Sequence, residues 1–236
     1  MPRSFAVSDI HGCSKTFIAL IENTIRLEKQ DHLYLLGDYI DRGPDSKGVI
    51  DFILHLKEEG FQVRTLMGNH EKMLLDAYSD RDKVRVWLMN GGEVAMESFK
   101  IDQLSDLPEK YIQFFKDLEY YILLDRYVLV HAGLNFNIPD PLSDKEAMLW
   151  LRKYTVNPEL IGGRMLVHGH TPQPLFKIEE DVALANANHV IGIDAGCVFS
   201  TNDFYGHLCA LQLDTMKAFF EKNIDSPGNL SKVISG

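Results

Sequence analysis

The segment GDYIDRG at residues 37–43 places two carboxylates and an arginine between glycines. Asp38 is able to hold a cation, and Arg42 is able to bind two oxygens of a phosphate or carboxylate through its forked guanidinium. The glycines permit backbone angles and close approaches that other residues resist. Surface turns of this composition also occur without function, so the meaning of the segment depends on the rest of the chain.

Metal-competent side chains recur wherever the sequence predicts the end of a strand. Besides Asp38, they are Asp9 and His11, Asn69 and His70, His131, and His168 with His170. Mn²⁺, Fe²⁺ and Zn²⁺ accept mixed carboxylate, imidazole and amide ligands. Two such ions about 3.5–4 Å apart are the common device for displacement at phosphorus. Any one group is equally well explained as ordinary surface or core residues, but the five groups together predict a metal centre.

The predicted elements would place these strand ends side by side. Apolar runs at 5–7, 33–36 and 61–67 predict strands, and each is followed by apolar residues at helical spacing. Ser14 or Thr16 is the predicted cap of the first helix. Repeated strand–loop–helix units predict an α/β fold, in which chemistry lies beyond the carboxyl ends of the strands.

The rest of the chain predicts a helical region and further strands. Residues 80–119 read as helical, with an interruption at Gly91 and Gly92, and predict a small helical cap beside the sheet. Alternating polarity predicts antiparallel strands at 174–178, 190–193, 207–213 and 218–221. We expect one domain over residues 1–225, followed by a loose tail at 226–236.

Composition excludes several classes of partner. The net charge of −10 argues against broad nucleic-acid binding, which depends on basic patches. No apolar run approaches the roughly 18–20 residues of a membrane span, and the N-terminus leads directly into a strand, which leaves no room for a signal peptide. The scattered Cys13, Cys197 and Cys209 indicate reduced thiols. We therefore expect a cytoplasmic protein without nucleic-acid or membrane partners, and the oligomeric state stays open.

Several motifs carry a resemblance to a known family. They are SDIHG at 8–12, GDYIDRG at 37–43, GNHE at 68–71, HAG at 131–133 and GHTP at 169–172, with WLR at 150–152 and IDAGCVF at 193–199. In this order they resemble the calcineurin-like metallophosphoesterases, and among these the small bacterial and phage enzymes of the phosphoprotein phosphatase (PPP) branch. The likeness spans roughly residues 4–214. It implies two mixed β-sheets packed as a central β-sandwich, flanked by helices, with a small helical cap.

The resemblance also implies a role for each motif residue. One metal ion would be held by Asp9, His11 and Asp38, and Asp38 would bridge to a second ion. The other ligands of the second ion would be Asn69, His131 and His170. His70 would be the general acid that protonates the leaving oxygen, and Asp41 would orient it. Arg42 and Arg152 would bind the phosphoryl oxygens during direct in-line attack by a hydroxide that bridges the two metals.

Three positions keep alternative interpretations. His168, two residues before His170, either supports the ligands from behind or has a direct role. Glu71 is expected to be a helix-start charge or a hydrogen-bond partner of the ligands rather than a ligand. Arg152 has the alternative of being an exposed helical arginine.

The expected function is hydrolysis of phosphoserine and phosphothreonine in proteins or peptides, with phosphotyrosine as a further substrate. The expected cofactors are two divalent ions per chain, with Mn²⁺ favoured and Fe²⁺ or Zn²⁺ as alternatives. One rival is a symmetrical diadenosine tetraphosphate hydrolase, which shares these motifs and cuts a phosphoanhydride. A rival from another class is an inactive phosphopeptide-binding regulator, which would be expected to have lost His70, Asp41 or a metal ligand.

Overall fold

The computed structural model describes residues 2–202 and 204–225. Its strands are β1 (Ser4–Val7), β2 (His32–Leu35), β3 (Gln62–Thr65), β4 (Tyr121–Leu123), β5 (Tyr127–Val130), β6 (Met165–His168), β7 (Val190–Gly192), β8 (His207–Gln212) and β9 (Lys217–Lys222). The predicted tail at 226–236 lies outside the described residues.

The strands form two mixed sheets. The first sheet has the order β3-β2-β1-β8-β9. Strands β1, β2 and β3 are parallel, whereas β8 pairs antiparallel with both β1 and β9. In the second, of order β4-β5-β6-β7, the hairpin strand β4 is antiparallel to β5, while β5, β6 and β7 are parallel. Both sheets therefore contribute parallel strands whose carboxyl ends can share one edge.

The two sheets pack face to face, which confirms the expected β-sandwich. Alternation along β1 illustrates the arrangement, because successive side chains of a strand point to opposite faces. Phe5 and Val7 lie in the apolar cluster formed with the flanking helices. Ala6 lies in the cluster between the sheets, together with residues of the second sheet such as Leu129 and Val167.

Most of the helices cover the outer faces of the sheets. The helices are α1 (Ser14–Ala19), α2 (Ser46–Glu58), α3 (Asn69–Ser79), α4 (Val84–Trp87), α5 (Glu93–Phe99), α6 (Glu109–Lys116), α7 (Lys145–Trp150), α8 (Leu175–Ala183) and α9 (Ala185–Asn188). Of these, α8 and α9 instead pack on the core between the sheets, through Ile178 and Ala185. The cap residue of α1 is Cys13 rather than Ser14 or Thr16. Ser14 and Thr16 instead donate hydrogen bonds to Asp45 and Asp225, which tie α1 to distant segments.

In the second half, one strand prediction is wrong and another has the wrong pairing. Residues 174–178 begin α8, because Leu175, Ile178 and Val182 recur at helical spacing and pack on the core between the sheets. Residues 190–193 do contain a strand, β7, but it pairs parallel with β6. The predicted antiparallel strands at 207–213 and 218–221 are confirmed as β8 and β9.

The region predicted as a helical cap contains α4, α5 and α6. A π-helical turn at Leu88–Gly92 joins α4 to α5, and Gly91 has a non-helical φ of 106°. The predicted interruption at Gly91 and Gly92 is therefore confirmed as a kink. Among the residues of ranges 2–202 and 204–225, no helix is long and apolar enough to cross a membrane.

Candidate metal centre

Strand ends from both sheets converge on one buried site. Backbone hydrogen bonds join the loops after β1 and β2, and in one of them the His11 N–H donates to the Asp38 carbonyl at 2.8 Å. In the second sheet, at the ends of β5 and β6, the N–H of Gly169 donates to the carbonyl of His131 at 2.8 Å. The site residues that follow these strands are buried although they are polar. Buried polar groups require partners, so their contacts define the site.

One group of ligand atoms forms where both sheets meet. Asn69 Oδ1 lies 2.9 Å from His131 Nε2 and 3.0 Å from His170 Nδ1, and these two nitrogens are 3.1 Å apart. His131 Nδ1 donates to the Leu36 carbonyl at 2.9 Å, so its Nε2 carries a lone pair. Asp38 Oδ1 lies 3.5 Å from the same Nε2. Lone pairs that converge in this way suit a bound cation.

A second group lies on the other side of Asp38. His11 Nδ1 donates to the Ile40 carbonyl at 2.9 Å, which leaves the lone pair on Nε2. Asp38 Oδ2 is 3.5 Å from that nitrogen and 3.9 Å from His70 Nε2. Arg42 Nη1 donates to His11 Nε2 at 2.7 Å, so a cation bound at this nitrogen would replace a hydrogen bond to a positive group. The two oxygens of Asp38 thus face the two groups.

Asp9 takes a different place from that of His11 and Asp38. Both oxygens of its carboxylate accept from the backbone N–H of His170, at 3.0 and 2.9 Å, and Ser8 donates its hydroxyl to the same carboxylate. The compact groups of possible ligand atoms are His11 with Asp38 and His70, and Asp38 with His131 and His170. The contacts of Asp9 therefore tie the loop after β1 to the loop after β6.

The His168 and Arg152 side chains lie outside both groups. His168 is half-buried at the end of β6, with Nδ1 2.9 Å from the Gly169 carbonyl and its ring 5.9 Å from that of Tyr154. Arg152 is exposed and follows the end of α7. Its charge lowers the pKa of Asp38, against the larger and opposite effect of burial. Arg152 is therefore close enough to act on the field of the site.

His70 and Asp41 form a hydrogen-bonded pair. His70 Nδ1 donates to Asp41 Oδ2 at 2.7 Å, and both side chains are fully buried. This bond fixes the proton on Nδ1 and turns Nε2 towards Asp38. An imidazole held by a carboxylate and free at its other nitrogen is suited to proton transfer.

Backbone strain is concentrated at these positions. Asp9, His11, Asp38, Asp41, Arg42 and His170 all have φ between 45° and 70°, the left-handed region that non-glycine residues seldom adopt. Strain of this kind is retained where the surrounding structure enforces it, and it clusters at functional sites.

The family model described as calcineurin-like phosphoesterase matches residues 2–207. The chain belongs to this family.

Two curated relatives differ in how much of the chain they match. Serine/threonine-protein phosphatase 1 of Salmonella typhimurium is 30% identical over 204 residues, which are 83% of this chain and 87% of the relative. The symmetrical bis(5'-nucleosyl)-tetraphosphatase of Buchnera aphidicola is 37% identical over 75 residues, which are 32% of this chain and only 26% of that relative. A solved protein serine/threonine phosphatase from Saccharomyces cerevisiae shares the fold, with a TM-score of 0.67 at 14% identity, covering 96% of this chain and 81% of that one.

The calcineurin-like phosphoesterases use two metal ions, and the residues of this chain fit such ions. Burial raises the pKa of Asp38 and Asp194 to about 7. A divalent cation reverses such shifts because positive charge favours the ionised carboxylate. Burial also lowers the pKa of His131 to about 3, which keeps the imidazole in the neutral form that binds metals. Within the described part of the chain, the buried side-chain atoms without a hydrogen-bond partner are His70 Nε2 and His170 Nε2.

Glu71 supports the site from behind. Its carboxylate accepts from the backbone N–H groups of Asp38, Tyr39, Ile40 and Gly68, at 2.9, 2.8, 3.3 and 3.0 Å. It is fully buried and holds the loop after β2 against the start of α3. This contact is the ligand-supporting alternative expected for Glu71 from the sequence.

Sequence reasoning assigned no role to two further residues at the site. Asp194 is buried just beyond β7, and its charge contributes to the raised pKa of Asp9, behind the larger effect of burial. Its position after a strand end is the same signal that pointed to the other residues. Trp87 donates from its indole Nε1 to Asp41. A tryptophan in an amphipathic helix gives no local sign of such a contact.

A cavity of about 710 Å³ lies beside the metal centre. Its lining includes Asn135, Phe136, Trp150 and Tyr154. Trp150 is 42% exposed, and its ring stands edge-on to His170 with centroids 6.4 Å apart. Trp150 therefore connects the lining of the cavity with His170.

Proposed function

We propose that this chain is a metal-dependent phosphomonoesterase that removes phosphate from phosphoserine and phosphothreonine in proteins, and also accepts phosphotyrosine. The observation that carries the proposal is the 30% identity to a serine/threonine-protein phosphatase over most of both chains, 83% and 87%. Membership of the calcineurin-like phosphoesterases supports the hydrolase class. We further propose a cytoplasmic location and phosphorylated proteins as partners.

In this proposal, the strand-end residues would hold two divalent ions, which when bound would supply Lewis acidity and an activated water. Asp9, His11, Asp38, Asn69, His131 and His170 are the proposed ligands. Arg42 and Arg152 bind the phosphoryl oxygens, where charge is redistributed as the ester bond breaks. The electron pair of the broken P–O bond stays on the leaving oxygen, which takes the Nε2 proton of His70 when the ring is in its imidazolium form, with a proton on each nitrogen. Asp41 holds the ring of His70 through the 2.7 Å bond to Nδ1.

A second candidate is symmetrical hydrolysis of diadenosine tetraphosphate. It is favoured by the 37% identity to a symmetrical tetraphosphatase, which spans 75 residues. The same metal ligands and the same acid would serve a phosphoanhydride. The leaving group would then be a nucleotide phosphate, which needs a proton less than an alkoxide does. The two functions therefore differ in the organic group and in the demand on His70.

Kinetics on three substrates test the proposal. Mn²⁺-loaded protein should hydrolyse a phosphothreonine peptide with kcat/KM at least 100-fold above that for diadenosine tetraphosphate, a difference of about 2.7 kcal/mol. A phosphotyrosine peptide should react as well. The reverse preference would support the tetraphosphatase function instead. Chelation should abolish hydrolysis of p-nitrophenyl phosphate and Mn²⁺ should restore it, whereas activity that survives chelation would exclude the metal centre.

A further inference from the structure

The helical cap contacts the pair that the proposed mechanism uses for proton transfer. Trp87, at the end of α4, donates from Nε1 to both carboxylate oxygens of Asp41, at 3.2 and 3.1 Å. One of these oxygens also accepts from His70 Nδ1. Trp87 and Asp41 are both buried, with exposures of 1% and 0%. Indole and imidazole therefore hold a single carboxylate from two sides.

The two glycines after Trp87 make this contact possible. The Arg42 N–H donates a long hydrogen bond to the Gly91 carbonyl, at 3.4 Å. A Cβ on Gly91 would lie 2.8 Å from the backbone nitrogen of Arg42. Gly91 also has a φ of +106°, a backbone conformation that is strained for a residue with a side chain. A Cβ on Gly92 would lie 2.5 Å from two ring carbons of Trp87. The turn can thus close on the loop of Asp41 and also pack on its own tryptophan.

Asp41 depends on such donors because it is buried. A buried carboxylate without hydrogen bonds is costly, and it would turn towards whichever donors remain. Among the residues that the structure describes, Oδ1 accepts from Trp87 alone, while Oδ2 accepts from both Trp87 and His70. Loss of the indole N–H would leave Oδ1 without that donor and free the carboxylate to rotate. Rotation would loosen the bond that orients the imidazole.

We propose that Trp87 is a positioning residue of the Asp41–His70 pair, and that the Gly91–Gly92 turn lets the cap deliver it. The inference rests on the proposed function, since it takes His70 as the acid that protonates the leaving oxygen. It gives the cap a part in the reaction in addition to its part in the core, where Trp87 also packs.

The test is Trp87→Phe, which keeps an aromatic ring and removes the N–H. Phenyl phosphate has a poor leaving group that needs the proton, whereas p-nitrophenyl phosphate leaves nearly without it. We expect kcat on phenyl phosphate to fall about 10- to 100-fold, kcat on p-nitrophenyl phosphate to fall less than about 3-fold, and KM to change little for both. In an Asp41→Asn background, Trp87→Phe should have almost no further effect, because the two residues act as a unit.

Tyr111→Phe is the matched control. Tyr111 is a buried aromatic of the cap whose hydroxyl donates to Asp51 at 2.8 Å, so the change removes a hydrogen bond in the same region without touching Asp41. Tyr111→Phe should lower kcat on both esters equally or on neither. The proposal would be overturned if Trp87→Phe lowered kcat equally on both esters, or if its effect on kcat added fully to that of Asp41→Asn. Either result would show that Trp87 acts only through packing.

A spectroscopic readout separates this inference from the proposed function. The chain has two tryptophans, so two indole N–H signals are expected in an NMR spectrum of labelled protein. Asp41→Asn should shift the Trp87 signal and leave that of Trp150 in place. An unmoved Trp87 signal would show that the contact is absent and refute the inference. A parent protein that hydrolyses no phosphate ester would refute the proposed function and the role of His70, while the Trp87 signal would still report the contact.

Discussion

The close approach of the loops after β1 and β2 should depend on Gly12. Its φ of +65° lies in the left-handed region, and a Cβ added to it would lie 2.7 Å from the carbonyl oxygen and 2.9 Å from the carbonyl carbon of Gly43. Gly163 offers a matched comparison, since its φ is +72° but a Cβ there would meet no atom of the described residues within 4 Å. Alanine at either position suffers the same backbone strain, and only alanine at Gly12 also meets a neighbouring loop.

The expected losses of stability follow from the backbone strain and from the contact with Gly43. Left-handed backbone costs an alanine about 1–2 kcal/mol, so Gly163→Ala should lower the free energy of unfolding by about that amount. Overpacking against backbone costs a further 1–3 kcal/mol or so, which gives about 2–5 kcal/mol for Gly12→Ala. At about 2–4 °C per kcal/mol for a chain of this size, the two melting temperatures should differ by roughly 2–12 °C.

Urea unfolding of metal-free protein measures the stability difference, and calorimetric titration with Mn²⁺ measures its consequence for the site. Gly12 lies next to His11, and its N–H donates to the Tyr39 carbonyl at 2.8 Å, so a shift of this loop should move His11 relative to Asp38 and weaken metal binding. Gly163→Ala should bind Mn²⁺ as the parent does. Equal stability of the two variants, or unchanged Mn²⁺ affinity in Gly12→Ala, would refute the argument from loop contact.

Two further predictions concern the metal centre itself. His70→Asn should lower turnover by about 100-fold or more, and the variant should keep about two metal ions per chain. Asp38→Asn should instead lose metal. Loss of metal from the His70 variant would show that His70 is a ligand rather than the acid. Metal-free protein should lose stability, measured in urea, as the pH rises from about 7 to about 8. Burial raises the pKa of Asp38 and Asp194 to about 7 and that of Glu71 to about 8, so the folded chain still holds protons that the unfolded chain has released. Saturating Mn²⁺ should flatten this dependence, and a gain of stability over the same range would contradict the sign.

The sequence was most informative where chemistry and local structure coincide. Asp38 follows β2 and Asn69 follows β3, which are neighbouring parallel strands of one sheet, and parallel strands end at a common edge. The proximity of these two residues therefore followed from the first sheet alone, whereas His131 follows β5 of the second sheet and reaches Asn69 only because the two sheets pack together. The Asp41–His70 bond was implied by the family motifs, and the structure places the two atoms 2.7 Å apart.

The sequence did not predict features that depend on contacts between residues far apart in the chain. Residues 174–178 show both alternating and helical spacing of apolar groups, and only the core between the sheets selects the helix. Cys13 occupies the N-cap position of α1 without a side-chain cap hydrogen bond, while Ser14 and Thr16 lie within the helix and donate to Asp45 and Asp225, far away in the chain. The same reason hid Trp87, whose partner Asp41 is 46 residues away. Local patterns carry no information about contacts of this range.

The supports of the 37–43 loop explain how a strained, acidic segment keeps its shape. Asp38 and Asp41 both adopt left-handed backbone, and both carboxylates are buried, so the loop is unfavourable by itself. Glu71 fixes the backbone beside Asp38 from the start of α3, and Trp87 fixes the carboxylate of Asp41 from the cap. These two anchors come from different elements and hold different halves of the loop. Loss of Trp87 should therefore disturb proton transfer while metal binding at Asp38 persists, which separates the two functions of one segment.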